Sequence, residues 1–468
     1  MKHEFKPSLS LLDASMIVAG SMIGSGIFIV SADMTRQVGS AGWLILIWIF
    51  TGFLTLAAAL SYGELSSMFP SAGGQYVYLK ESWNRLTGFL YGWTLFTVIQ
   101  TGTIAAVGVA FAKFAGYFMP VFELNDSNIL YMFGSFKLYP AQLLSIAIIV
   151  FLSFVNSRGI EGGKKIQTFF TLTKIIALLS LVIFGFLLGF NKEIWNANWK
   201  HAWSLSHADE SGKFLPISGI NIMGLFAAAM VGSLFSSDAW NNITFIAGEV
   251  KNPKQNIGLS LLIGTGMVSL LYIFTNIMYL GVLPLDGIAF AANDRVAVAA
   301  SAPIFGNIGT YLIAGLIMVS TFGCINGMVL SGARVYYSMA QDGLFFNKVK
   351  FLNDKDVPSK ALWYQCIWAS VLCLSGKYGD LLDYVVFAVL IFYIITILGI
   401  FKLRLTQPDA PRPYKAFGYP IVPALYVILA SILCIALLVY KPNYTWPGLV
   451  IVLLGIPVFM AIDRKNKT

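Results

Sequence analysis

Long apolar runs alternate with short polar segments along almost the whole chain. A helix needs about 20 mostly apolar residues to cross a bilayer, and twelve runs approach or exceed that length. The runs are continuous rather than alternating, which excludes a transmembrane β-barrel. The pattern predicts an all-α membrane protein with 12 transmembrane helices. Numbered one to twelve, the predicted segments are residues 11–35, 41–69, 85–118, 141–156, 166–190, 217–248, 257–283, 303–340, 360–375, 379–403, 420–440 and 445–462.

Small and polar residues interrupt two of these apolar segments near their middles. Segment one contains Gly-Ser-Gly at residues 24–26, and segment six contains Ser-Ser-Asp at residues 236–238. Each glycine costs a helix about 1 kcal/mol relative to alanine, and unwound backbone is tolerated at membrane depth only where it lines a cavity. An alternative is that Gly20 and Gly24 form a Gly-x-x-x-Gly helix-packing motif. The matched break in segment six favours a binding site.

The two breaks occupy corresponding positions if segments one to five and six to ten form two halves. Paired interruptions of this kind indicate an inverted-repeat transporter whose substrate lies between two broken helices. The sequence therefore predicts a single transmembrane domain. Its parts are a first five-helix repeat at residues 1–190, a second at residues 217–404, and two further helices at residues 420–462.

Composition and charge support the membrane prediction and give it an orientation. The chain is 57% apolar and 11% charged, with a mean hydropathy of +0.75, whereas soluble domains carry about 25% charged residues. Of the 31 lysines and arginines, more than twice as many fall on the N-terminal side of the predicted membrane as on the opposite side. The positive-inside rule then places both termini in the cytoplasm of a cell membrane protein. The net charge of +9 reflects topology, and no nucleic-acid partner is expected.

The two broken helices predict complementary electrostatics. The half-helix that starts near Ile27 presents unpaired N–H groups and a partial positive charge, which suit a carboxylate. The half-helix that ends near Phe235 presents carbonyl groups that suit an ammonium, and Asp238 adds a full negative charge. A zwitterion such as an α-amino acid matches both ends. The predicted substrate-binding residues are Ile23, Gly24, Ser25, Gly26, Phe235, Ser236, Ser237, Asp238 and Trp240.

Lys174 is the other ionisable residue predicted to lie deep in a span, at a cost of about 2.5–3.5 kcal/mol. One interpretation is that it stands in for a sodium ion by bonding carbonyls of segment one and a polar group of segment eight. A second is that it carries a proton. The remaining alternatives are a structural role in holding helices together and a direct ion pair with Asp238.

The remaining reactive residue types predict neither an enzyme nor a metal protein. The three histidines lie at the N-terminus and in one loop, without metal-ligand spacing, and the four cysteines all fall within spans. No carboxylate pair or metal cluster falls within the spans, so we expect no catalytic residues, no metal and no cofactor.

Five motifs in order resemble the amino acid–polyamine–organocation superfamily, and within it the L-type amino acid transporter group. The resemblance covers nearly the whole chain. The motifs are Ile23-Gly-Ser-Gly-Ile-Phe28, Gly73-Gly-Gln-Tyr-Val-Tyr78, Asp238-Ala-Trp-Asn241 followed by Glu249-Val-Lys-Asn-Pro253, Arg334-Val-Tyr-Tyr-Ser-Met-Ala-Gln-Asp-Gly343, and Arg412-Pro-Tyr-Lys-Ala-Phe-Gly-Tyr-Pro420.

This resemblance implies a LeuT-like fold of two five-helix halves plus two helices, and sodium-independent amino-acid transport, commonly by exchange. It implies that residues 24–26 hold the carboxylate, that Phe235 is an aromatic lid, and that Lys174 links segments one and eight. Cys324 falls where the family often has a small hydroxyl residue. Eukaryotic members pair with a glycoprotein through a cysteine after span three. Residues 113–140 contain no cysteine, so a prokaryotic-type protein without a disulfide-linked subunit is expected.

The predicted function is sodium-independent exchange of neutral L-amino acids by alternating access, with cationic L-amino acids as a candidate second class of substrate. Asp238 stands where many members have a small neutral residue, and an acid there occurs in some members that accept cationic amino acids. The competing interpretation is that Asp238 pairs with a protein group. Proton-coupled symport is the alternative transport mode. A non-transporting receptor or a channel is a different class, and channels need rings of pore-lining groups that this sequence lacks.

Overall fold

Helices occupy all twelve predicted segments in the computed structural model of the chain, which describes residues 5–134, 136–209, 212–217, 221–375 and 378–467. Residues 218–220, at the predicted start of segment six, lie outside the described ranges. Within those ranges, ten helical stretches are long and apolar enough to cross a membrane. Segments six and nine contain shorter helices of 16 and 17 residues. The protein is therefore a multi-pass, all-helical membrane protein.

The first half of the chain contains segments one to five. Segment one is split into two helices, and segments three and five each include one π-helical turn, at Leu95–Ile99 and Gly185–Gly189. The helices are α1 (Leu11–Met22), α2 (Gly26–Val38), α3 (Ala41–Met68), α4 (Gln75–Ser82), α5 (Arg85–Thr94), α6 (Gln100–Phe118), α7 (Pro140–Ser157), α8 (Ile160–Phe184) and α9 (Lys192–Trp199).

The second half contains segments six to ten, and two further long helices follow it. Segment six is also split, which matches the division of segment one. The helices are α10 (Asn221–Ser236), α11 (Asn242–Phe245), α12 (Pro253–Val282), α13 (Leu285–Ala289), α14 (Val296–Gln341), α15 (Ser359–Ser375), α16 (Tyr378–Thr406), α17 (Ile421–Tyr440) and α18 (Pro442–Lys467). Short 3₁₀ turns lie at Pro120–Phe122, Asp126–Asn128, Ala247–Glu249, Ala292–Asp294 and Asn347–Lys350.

Local sequence signals fix several helix ends. Ser10 caps α1 and forms a reciprocal capping box with Asp13, an arrangement that satisfies two N–H groups at the helix start. Gly39 ends α2 in the left-handed conformation, at φ 53°, which glycine adopts at little cost. Helix α14 begins at Val296, seven residues before the predicted segment. A kink at Gly306 (φ 67°) separates this first helical stretch from the remainder of the helix.

Two small antiparallel hairpins in the loops were not predicted. The first pairs β1 (Tyr131–Phe133) with β2 (Phe136–Leu138), and the second pairs β3 (Ser206–Ala208) with β4 (Phe214–Pro216). Each strand is three residues long, which is shorter than the four to eight residues that an alternating pattern needs to be recognised.

Candidate functional site

The first break lies between α1 and α2. Helix α1 ends at Met22, and Ile23 leaves helical geometry with φ −74° and ψ 86°. The Gly24 N–H donates to the Met22 carbonyl at 2.8 Å, and α2 starts at Gly26. A Cβ atom on Gly26 would collide with the Ser236 side chain and lie 3.0 Å from Ser236 Cα. The two broken helices are therefore in direct contact here, and only glycine permits the approach.

The second break follows α10, which ends at Ser236. The chain turns at Ala239, which has a φ of 63°. A left-handed conformation costs a non-glycine residue roughly 1–2 kcal/mol, and such residues cluster at ligand-binding and switch regions. Helical geometry resumes at Asn242. Both breaks are therefore present where the sequence predicts them, and each is about as short as one helical turn.

Tyr272, on α12, connects the ends of the two broken helices. Its Oη lies 2.9 Å from the carbonyl oxygen of Met22 and 3.2 Å from that of Ser236. These are the last residues of α1 and α10, whose carbonyl groups lack partners within their own helices. A phenol has a single proton to donate, so the two carbonyls share this donor. The side chain is fully buried, and it fixes the separation of the two helix ends.

We expect Tyr272→Phe to slow transport at least about fivefold, because the Ser236 carbonyl loses its hydroxyl donor and an unsatisfied buried carbonyl costs about 1–3 kcal/mol. The Met22 carbonyl, by contrast, keeps its backbone N–H donor. The matched control is Tyr279→Phe on the same helix, whose hydroxyl lies 3.3 Å from the Ile27 carbonyl and makes a longer bond. Transport of labelled substrate, normalised to folded protein, checks both variants. Unchanged transport by Tyr272→Phe would show that the bond has no functional role.

Lys174, on α8, is buried and bound to the first break. Its Nζ donates to the carbonyl oxygens of Gly20 at 2.6 Å and Ile23 at 2.7 Å. On α14, the Ser320 hydroxyl donates to the same Ile23 carbonyl at 3.2 Å. The Cys324 thiol lies 3.0 Å from the Ser21 carbonyl. Segments five and eight therefore both hold segment one, and the hydroxyl that shares an acceptor with Lys174 comes from Ser320.

Asp238 has its own partner. Its carboxylate accepts a hydrogen bond of 2.6 Å from the Tyr393 hydroxyl of α16. Across the described ranges, no ion pair joins Asp238 to Lys174 or to any other cation. Trp240 packs against the rings of Tyr62 and Tyr393, at centroid distances of 4.8 and 5.1 Å. The two intramembrane charges are thus held separately.

Two cavities meet at Asp238 and Tyr393. One is the more polar of the two and includes Gln75, Gln100 and Asn241 in its lining. The other is mainly apolar and is bounded by segments two, six, ten and eleven. The side chains of Asp238, Tyr393 and Val389 border both cavities.

The predicted site residues therefore fall into two groups. Those of the first break and the end of α10 line neither cavity, and within this group the Ser236 side chain fills the space beside Gly26. They are Ile23, Gly24, Ser25, Gly26, Phe235 and Ser236. A second group borders one or both cavities and comprises Ser237, Asp238 and Trp240.

Sequence reasoning missed three residues of this region: Tyr272, Ser320 and Tyr393. A signal for the first existed, because Tyr272, Asn276 and Tyr279 recur at helical spacing and mark one polar face on an apolar helix. The Ser31 hydroxyl of α2 donates to the Asn276 side chain at 2.6 Å, so this polar face of α12 contacts the second helix of broken segment one. Ser320 and Tyr393 are single polar residues in apolar helices, and no spacing distinguishes them.

On the N-terminal side of the membrane, a buried ion pair joins two of the sequence motifs. Arg334 Nε lies 2.8 Å from Glu249 Oε1, and the two side chains are 0% and 4% exposed. The N–H groups of Ser8 and Leu9 both donate to the Glu249 carbonyl at 2.9 Å. The ion pair connects the loop after the second break to the end of α14, and the two backbone bonds add the N-terminal segment.

On the opposite side of the membrane, the carboxylate of Asp294 joins the C-terminal parts of α2 and α6. It lies 2.8 Å from Arg36 at the end of α2 and 3.3 Å from Lys113 near the end of α6. Burial opposes ionisation of Asp294, but these two cations outweigh it and hold the pKa of that carboxyl below its ordinary value. The cluster is therefore charged at neutral pH and ties α2 to α6.

Comparison with known proteins identifies the family. A family profile described as amino acid permease matches residues 9–462. The human large neutral amino acids transporter small subunit 2 is 27% identical over 467 residues, which cover 99% of this chain and 82% of that protein. The serine/threonine exchanger SteT of Bacillus subtilis is 28% identical and covers 98% of both chains.

The human b(0,+)-type amino acid transporter 1 is 27% identical and covers 95% of this chain and 85% of its own. These relatives are transporters and an exchanger rather than enzymes, and they confirm the resemblance given by the five motifs. The chain is therefore a multi-pass membrane protein that belongs to the amino acid permease family of the amino acid–polyamine–organocation superfamily.

Proposed function

We propose that this protein exchanges L-amino acids across the cell membrane without sodium, by alternating access around the two broken helices. The observation that carries the proposal is the contact between α2 and α10 at Gly26 and Ser236, with Tyr272 bonded to both breaks. In this proposal twelve helices span the membrane as a five-plus-five inverted repeat with two further helices. Both termini are cytoplasmic, and no disulfide-linked subunit is required.

A free amino acid fits the charges at the breaks. The first N–H groups of α2 give its start a partial positive charge, which suits the substrate carboxylate. The last carbonyls of α10 and the Asp238 carboxylate suit the ammonium group. Because Ser236 packs against Gly26, binding requires the two breaks to separate. Substrate binding and the movement of the broken helices are therefore coupled.

Lys174 supports transport without sodium. Carbonyl groups freed by an unwound helix are the ligands that coordinate sodium in transporters with broken helices. Here the Lys174 ammonium already occupies two such carbonyls, those of Gly20 and Ile23. A fixed positive charge beside them disfavours a second cation.

Exchange is favoured over symport by the named relative SteT, which is an exchanger. Proton-coupled symport is the second candidate, and the observation behind it is that a buried, protonatable amine, that of Lys174, binds the first break directly.

We also propose that the substrates include cationic as well as neutral amino acids. The Tyr393 hydroxyl is a neutral partner, so the negative charge of Asp238 is not balanced by a cation in the described ranges. A lysine or arginine side chain entering either cavity next to Asp238 would supply that balance.

We expect Asp238→Asn to weaken competition by arginine and lysine at least about tenfold, because a hydrogen bond to a charged group is worth about 1.5–3 kcal/mol. Competition by neutral amino acids should change much less. The matched control is Tyr393→Phe, which removes the hydrogen bond and keeps the carboxylate. If arginine and lysine compete equally well against Asp238→Asn and the unsubstituted protein, the proposed cation selection is wrong.

The experiment that tests the proposed function is a substrate panel in proteoliposomes. Vesicles preloaded with one amino acid receive an external labelled amino acid, with choline in place of sodium outside. We expect uptake of several neutral amino acids at the same rate in choline and in sodium. Uptake that stops when sodium is removed would contradict the proposal, and binding without any flux would indicate a receptor.

A further inference from the structure

The hairpin between α6 and α7 has one aromatic face and an opposite face formed by Met132 and Lys137. Direct cross-strand pairs are Tyr131 with Leu138, Met132 with Lys137, and Phe133 with Phe136. Residues that pair directly share a face, and successive residues of a strand point to opposite faces. One face therefore carries the Tyr131–Leu138 and Phe133–Phe136 pairs, and the other carries Met132 and Lys137.

The aromatic face is not covered by the described part of the protein. Phe133 is 75% exposed and Tyr131 is 59% exposed, and Phe136 is exposed as well. On the other face, the Lys137 ammonium lies 2.7 Å from the Asp126 carboxylate. Exposed apolar residues that occur singly need no explanation, but three large aromatic side chains on one face of a small hairpin indicate an interaction surface.

The second hairpin, by contrast, packs against the protein through its first strand. The Ser206 hydroxyl of β3 donates to the Gly39 carbonyl at the end of α2, and Ala208 is buried. Both hairpins have three-residue strands and lie in loops between helices. The exposure of the first hairpin is therefore not a general property of short loop hairpins.

The first hairpin lies in the loop between two membrane-spanning helices. It is joined to α6, which ends at Phe118, and to α7, which starts at Pro140 only two residues after Leu138. Both helices belong to membrane-spanning stretches. Phe118 is itself exposed, as are apolar residues along α7, including Leu143. The aromatic face is thus continuous along the chain with the exposed apolar surface of membrane-spanning helices.

We propose that the aromatic face of the 131–138 hairpin inserts into the bilayer interface on the side opposite the N-terminus, and so anchors the loop between segments three and four. Aromatic residues are enriched at this level of the membrane, and amphipathic elements bury their apolar face there by about 5–10 Å. The Lys137–Asp126 pair remains on the aqueous side. The proposed partner of the aromatic face is the boundary between lipid headgroups and acyl chains.

The test uses single cysteines labelled with a nitrobenzoxadiazole fluorophore in the full-length protein reconstituted in liposomes. Phe133→Cys reports on the aromatic face. Its matched control is Met132→Cys, the neighbouring and similarly exposed position on the opposite face, and Ser127→Cys gives an aqueous reference in the same loop. The four native cysteines are buried, and labelling of the unsubstituted protein measures their background.

We expect a nitroxide-bearing lipid to quench the label at position 133 at least about twofold more than the label at position 132, as insertion of one face requires. Aqueous iodide should quench the label at position 127 most strongly. Equal lipid quenching at positions 132 and 133, or none at position 133, would overturn the proposal. A label at position 133 that is shielded from both quenchers would also overturn it, because a protein surface would then cover this face.

Discussion

Lys174→Ala is expected to slow amino-acid exchange at least about tenfold. The substitution removes both hydrogen bonds to the Gly20 and Ile23 carbonyls. Each buried carbonyl left without a partner costs about 1–3 kcal/mol, and 1.4 kcal/mol corresponds to a factor of ten. The Ser320 hydroxyl still donates to the Ile23 carbonyl. The first break should therefore become less rigid but stay folded.

The pH dependence of Lys174→Ala separates the positioning role from a proton-carrying role. If the amine only positions the first break, the variant should be slower but show the same pH profile as the unsubstituted protein. If the amine carries a proton, the unsubstituted protein should be pH-dependent and the variant should lose that dependence. Thr173→Ala is the matched control, because the neighbouring Thr173 side chain bonds only within its own helix. Full activity of Lys174→Ala would contradict both roles.

Arg334→Leu is expected to destabilise the protein by about 3–5 kcal/mol, because it leaves the Glu249 carboxylate buried without its cation. The loss also removes the bond from Arg334 to the Leu330 carbonyl, a contact at 2.6 Å. Thermal unfolding in detergent, followed by size-exclusion chromatography, measures the effect. We expect a clearly lower midpoint and a lower yield of monodisperse protein.

The double variant Arg334→Leu with Glu249→Leu tests the physical reason. Replacing both members of a buried ion pair by apolar residues is often neutral or stabilising, so the double variant should recover most of the lost stability. If the double variant is as unstable as Arg334→Leu, the unpaired carboxylate is not the cause. If Arg334→Leu itself unfolds like the unsubstituted protein, the ion pair does not hold these elements together.

The sequence was sufficient to predict the features that depend on local composition. Glycine, serine and aspartate in mid-membrane positions of apolar segments predict the breaks because they are costly there, and the structure has both breaks within a few residues of the prediction. The prediction of the breaks needs no knowledge of how distant helices pack. The contact of Lys174 with the first break is one of four interpretations that the sequence leaves open, and the family resemblance rather than local composition points to it.

Features that depend on packing between distant helices could not be predicted. The Tyr272 bonds span 250 residues to Met22 and 36 residues to Ser236, and no local pattern gives those distances. The same holds for Ser320, which contacts the carbonyl that Lys174 also binds, whereas the sequence indicated Cys324. Two residues one helical turn apart on α14 share a face of the helix, and only the axial position of α14 against segment one decides which carbonyl each of them contacts.

The exposed aromatic hairpin shows a third kind of limit. Tyr131, Phe133 and Phe136 lie in strands that are too short for a recognisable alternating pattern, and the register of the hairpin determines which side chains share a face. Alternation within three residues cannot be distinguished from chance.

The most direct test of the central claim compares uptake of labelled amino acid into preloaded and empty proteoliposomes. Exchange through a site between the two broken helices predicts fast uptake only when the vesicles contain unlabelled amino acid, with or without sodium and with little response to an imposed pH gradient. Uptake that is equally fast into empty vesicles and driven by the pH gradient would contradict exchange and establish proton-coupled symport.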